Sequence, residues 1–99
     1  METALLQYPI AKVFHRLQKV LKKKGFIILS TNEMQGRIVA HKRRFLQNKL
    51  LLDIKTAKID EQATRVDLSI AEERNIFNKQ VSPGRDNEKE LWNNIYDSF

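Results

Sequence analysis

Ninety-nine residues, 41% of them hydrophobic and 30% charged, make one domain with a single core that takes up roughly 60–70% of the unfolded chain's surface. No cysteine is present, which excludes a disulfide framework and a thiolate metal site. The net charge of +6 is uneven: residues 1–58 hold thirteen Lys and Arg against three Asp and Glu, and residues 59–99 hold five against nine, so the attraction to polyanions that a basic chain implies belongs to the first half.

Residues 1–8 read as a lead-in. Met1-Glu2-Thr3-Ala4-Leu5-Leu6-Gln7 has no basic stretch before an apolar run, as a secretion signal would. The longest apolar run, 26–29, falls far short of the ~20 residues of a membrane span. The expectation is a cytoplasmic chain with no membrane partner. Ile10, Val13, Phe14, Leu17, Val20 and Leu21 recur at helical spacing and predict a helix over 9–24. Pro9 suits its first turn, Lys22, Lys23 and Lys24 complement the dipole of its last turn, and Gly25 suits the left-handed position beyond its end.

The period then changes to that of strands. A short strand at 26–31 and a second at 37–43 flank a turn around Asn32-Glu33-Met34-Gln35-Gly36, and Gln47-Asn48 forms the next turn. Leu50, Leu52 and Ile54 alternate with Leu51, Asp53 and Lys55, and Thr64, Val66, Leu68 and Ile70 alternate with Arg65, Asp67 and Ser69. With Asp60-Glu61-Gln62 between them, these two runs predict a hairpin having one oily and one polar face. The short connections make the four strands of 26–71 an antiparallel meander. A loop over 72–86 follows, tethered by Ile76, Phe77 and Val81 and carrying a Pro83-Gly84 turn. Asn87 and Glu90 have the spacing of a capping box before a helix over 87–99, with Leu91, Trp92, Ile95 and Phe99 on one side. Two amphipathic helices and a sheet with one apolar face predict a two-layer α+β domain, the four-stranded antiparallel meander sheet carrying both helices on one face and leaving the other open.

This order resembles the TATA-binding-protein-like fold, as a single copy without the leading strand of each repeat. Small bacterial domains of unknown function with that fold share the Gly-Phe pair ending a helix, here Gly25-Phe26. They also share a Gly followed by aliphatics, here Gly36-Arg37-Ile38-Val39-Ala40, and a strand opening Thr-x-Val, here Thr64-Arg65-Val66. The resemblance covers residues 9–99 and implies a fold without an activity; the DNA-intercalating Phe residues of the TATA-binding protein have no counterparts. The double-stranded-RNA-binding domain runs in a similar order but opens its second helix with a Lys-rich phosphate clamp, where this chain has Asp86-Asn87-Glu88-Lys89-Glu90.

Few residues suggest chemistry. His15 lies on the basic side of the first helix and His41 on a strand, and neither has a carboxylate at metal-ligand spacing. Asp60-Glu61 and Glu72-Glu73 lie in a turn and at a strand end, where carboxylates are solvated, and three scattered glycines make no phosphate loop. The expectation is a non-enzymatic domain with no catalytic residue, cofactor or metal. Membrane binding by the first helix would strip Phe14, Leu17 and Leu21 from the core, and Leu, Ile, Val and Phe fill the core positions where a small molecule would otherwise sit.

The candidate binding surface is the open sheet face. Parity assigns it Asp53, Lys55, Arg65, Asp67 and Ser69, and, with Ile38 and Ala40 inward, Arg37, Val39, His41 and Arg43. Leu51, Val39 and one of Ile27 or Leu29 add an apolar component that favours association with a protein partner or a second copy. The charges are expected to pair across strands, Arg65 and Asp67 against Lys55 and Asp53. The alternative is nucleic-acid binding through the basic residues of 12–58, densest at Lys42-Arg43-Arg44. It is disfavoured by Asp53 and Asp67 and by the absence of aromatic residues on the last two strands of the meander.

Overall fold

The alternation at 50–56 and 64–70 builds the longest hairpin of the molecule. In the computed structural model, which describes residues 2–43, 49–75, 79–83 and 85–99 (side chains at 2–43, 49–72 and 88–99), the elements run β1 (Glu2–Leu6), α1 (Ile10–Lys23), β2 (Ile27–Asn32), β3 (Arg37–Arg43), β4 (Lys49–Asp60), β5 (Ala63–Asn75), β6 (Lys79–Pro83) and α2 (Arg85–Asp97). The sheet is antiparallel in the order β1-β5-β4-β3-β2, with β6 also paired to β5.

The α+β class and the meander of β2 to β5 agree with the sequence reading, but the sheet exceeds the four strands expected. The lead-in pairs as β1 with residues 64–68 of β5, and the loop expected over 72–86 instead continues β5 to Asn75 and returns as β6 on residues 71–75. Both additions lie along the edge of β5 away from β4. The five residues of β1 are too few for a clear period, and Glu72-Glu73-Arg74 breaks the apolar alternation by which β5 could be followed. The residues expected as a lead-in are thus a strand of the sheet. The expected Gln47-Asn48 turn, the tethers Ile76 and Phe77, the Val81 side chain, Gly84 of the Pro83-Gly84 turn and the Asn87 cap side chain lie outside the described residues.

Pro9 caps α1 from the position before its first turn, and its carbonyl accepts from Val13 N–H at 3.0 Å. At the other end Gly25 takes φ +86°, its N–H bonding to Lys22 O and that of Phe26 to Leu21 O. This 6→1, 5→2 pair closes the helix and turns the chain into β2. Gly36 has φ +65°, and its carbonyl accepts from both the N–H (2.7 Å) and the hydroxyl (2.8 Å) of Thr56.

One layer of side chains joins the helices to the sheet. Val13, Phe14, Leu17, Val20 and Leu21 of α1 and Leu91, Trp92 and Ile95 of α2 form one buried cluster with Leu6, Phe26, Ile38, Ala40, Leu50, Leu52, Ile54, Val66, Leu68 and Ile70. These sheet residues share one parity, so the opposite parity faces away from both helices. Thr64, fully buried, donates to Tyr8 O at 2.9 Å and fixes the link from β1 to α1. Tyr8 stacks on Phe99 at 4.7 Å, and Arg16 reaches Ser98 O at 3.0 Å, tying the end of the chain to α1. No helix among the described residues is long and apolar enough to cross a membrane.

Candidate interaction face

Ile38 and Ala40 are fully buried, which settles the register of β3. Arg37, Val39, His41 and Arg43 point to the open side, and the pairing of β3 with β4 and of β4 with β5 brings Leu51, Asp53, Lys55, Arg65, Asp67 and Ser69 to the same face. Rows of neighbours cross the strands. Ile27, His41, Leu51 and Ala71 form one, Ser30, Val39, Asp53 and Ser69 the next, and Asn32, Arg37, Lys55, Asp67 and Thr3 a third.

One end of this face is apolar. A register shift between Ile28 and Ser30 inserts Leu29 as a bulge, so two successive residues oppose Val39. Ile27 and Leu29, two residues apart, are both exposed on the open face, at 60% and 55%, where the sequence expectation includes one of the two. With half-buried Val39, Leu51 and Ala71 they form an apolar group on the rows that include and adjoin His41, whose Nδ1 is occluded and has no hydrogen-bond partner among the described residues.

The adjoining part is polar and paired: Lys55 lies opposite Asp67 as expected, but the hydrogen bonds of the two carboxylates run to other partners. Arg37 grips Asp53 through Nε at 3.1 Å and Nη2 at 2.9 Å. That hydrogen bond, and then the carboxylate's charge, raise the guanidinium pKa above its ordinary value. Asp67 accepts from the Thr3 hydroxyl and from Arg65 Nε at 3.2 Å. Its pKa is lowered, first by the Thr3 hydroxyl and then by Arg65 and Lys55, with burial opposing. Arg65 and Asp67 thus pair along β5, and Asp53 pairs with β3. The Thr3 contribution escaped the sequence reading because it depends on β1, whose alternation of Ala4 and Leu6 against Thr3 and Leu5 was the one signal for it.

Neither histidine belongs to a cluster of three or more metal-ligating side chains among the described residues. Between the end of α1 and α2, Lys24, Phe26, Lys42 and Leu91 line a depression of about 100 Å³, well under the ~300 Å³ at which ligand pockets begin.

No family model matches the chain, and no curated protein matches it. Among solved structures, it is similar to a DUF4468 family protein from Bacteroides ovatus, a domain of unknown function. The identity is 11% and the TM-score 0.45, over 98% of this chain and 78% of that one.

Proposed function

We propose that the chain is a non-enzymatic domain that associates with a protein partner through the open face of its sheet. The observation that carries this reading is the apolar group of Ile27, Leu29, Val39, Leu51 and Ala71 on the rows that include and adjoin His41, on the side of the sheet that the helices leave uncovered. Contiguous apolar surface of this kind, rimmed by polar residues, is typical of docking sites. The rim suits the same purpose. Arg37–Asp53 and Arg65–Asp67 neutralise one another, so a partner meets few unpaired charges to desolvate. A cytoplasmic location and kinship with the TATA-binding-protein-like fold belong to the same proposal. The first is supported by the lack of cysteine, the second by the order strand, helix, meander, helix.

The test is photo-crosslinking in the native cell from a probe at Val39 or Ser69, with a probe at Lys19 on the far side of α1 as reference. A discrete adduct from the sheet positions, absent from Lys19 and lost in Leu51→Lys, is the expected result. Equal labelling from all three positions, or none from the sheet, would overturn the reading.

A further inference from the structure

We propose that the β2 edge pairs antiparallel with the β2 edge of a second copy of this chain, about a two-fold axis at Ile28. β2 ends the strand order, so its outer backbone groups have no strand partner among the described residues. Exposed edges of this kind are ordinarily blunted by Lys, Pro or inward charge. Residues 25–32, Gly-Phe-Ile-Ile-Leu-Ser-Thr-Asn, have no charge and no proline in a chain 30% charged, and the bulge at Leu29 is the one protective device. The opposite edge is different. It is split between β1, which carries Glu2, and β6.

Charge selects the occupant. A two-fold pairing lays a strand against itself, which like charges would oppose and a neutral strand allows, whereas an acidic or basic segment finds no complement here. Shape agrees. With Ile28 on the axis, Ile27 of each copy lies beside Leu29 of the other, apolar against apolar on the open face, and the two Ile28 side chains meet on the helix side. Ile27 and Leu29 are among the most exposed large hydrophobic residues of the molecule. Strand addition of this type takes affinity from main-chain hydrogen bonds and register from such side-chain pairs. Three paired residues bury less than a standard interface, so the dimer is weak and forms at high concentration. Edge pairing shares Ile27 and Leu29 with the open face but leaves Val39, Leu51 and Ser69 uncovered, so it is tested separately from partner binding there.

The experiment combines sedimentation equilibrium up to millimolar concentration with amide exchange on the intact chain. Self-association should slow exchange of the residue 27–30 amides as concentration rises, leaving the Val39 and Ser69 amides unchanged. Ile27→Glu and Leu29→Lys, both at exposed positions, should each weaken self-association by about tenfold, with Trp92 fluorescence verifying the fold. Mixing the two variants should restore association, because the carboxylate introduced in one copy then faces the ammonium introduced in the other. A chain that stays monomeric, a dimer without slowed exchange at 27–30, or a mixture that associates no better than either variant alone would overturn the proposal. None of these results affects the crosslinks expected from Val39 and Ser69.

Discussion

Gly36 and Gly25 both occupy left-handed backbone, but their surroundings differ. A Cβ at Gly25 meets the Lys42 side chain at 3.6 Å, an ordinary contact, whereas at Gly36 it would overlap the hydroxyl and carbonyl of Thr56. That overlap follows from the paired hydrogen bonds by which Thr56 draws the Gly36 carbonyl onto β4. Gly25→Ala should therefore cost only the conformational penalty, about 1–2 kcal/mol. Gly36→Ala adds displacement of a buried Thr and should cost about 2–4 kcal/mol. Urea unfolding of both variants checks the order, and equal losses would mean that the Thr56 contact is dispensable. The need for glycine beyond α1 could be read in the sequence from the apolar spacing that ends at Leu21. The need at Gly36 could not, because its cause lies twenty residues away in a neighbouring strand.

At the scale of elements, β1 is joined to β5 by backbone pairing, by Leu6 in the core and by the Thr3–Asp67 hydrogen bond. Asp67 has a depressed pKa in the folded chain, so its contribution is complete above the ordinary carboxylate value of about 3.9 and disappears as pH falls through the folded value. Thr3→Val removes the largest cause of the depression. The Asp67 carboxyl signal should then titrate at higher pH by NMR, and the stability difference between parent and variant at neutral pH should shrink below about pH 4. An unchanged Asp67 titration would contradict the assigned cause. The β4–β5 hairpin was legible because Leu50, Leu52 and Ile54 on one strand and Thr64, Val66, Leu68 and Ile70 on the other recur at every second position. β1 and β6 were not, since each is short and held by pairing with β5 rather than by an apolar period of its own. The candidate face followed from the same parity wherever strands are regular. It was incomplete at Ser30, which the bulge puts on the same side as Leu29, and at Thr3, which comes from the unrecognised strand.

For the whole molecule, the basic first half is divided between two surfaces. Lys12, Arg16, Lys19, Lys22 and Lys23 belong to α1, and Arg37, Arg43, Lys49 and Lys55 face the open side of the sheet. A polyanion therefore finds cations on opposite sides of the domain, and on the sheet side it meets Asp53 and Asp67, already engaged by Arg37 and Arg65. No aromatic residue lies on the described outward positions of β3, β4 and β5 to stack a base, although stacking supplies ~1–3 kcal/mol per base in single-strand binders. What remains is phosphate attraction, which falls steeply with salt. Oligonucleotides, single- or double-stranded, should perturb the amides of α1 at low salt, without sequence preference, and the perturbation should vanish at physiological ionic strength. The amides of Val39, Leu51 and Ser69 should stay in place throughout. If these face amides move and the movement survives added salt, nucleic acid replaces protein as the ligand of the open face. The apolar residues on the rows of His41 and its neighbours would then have to contact bases, a role for which Ile, Leu and Val offer no stacking plane.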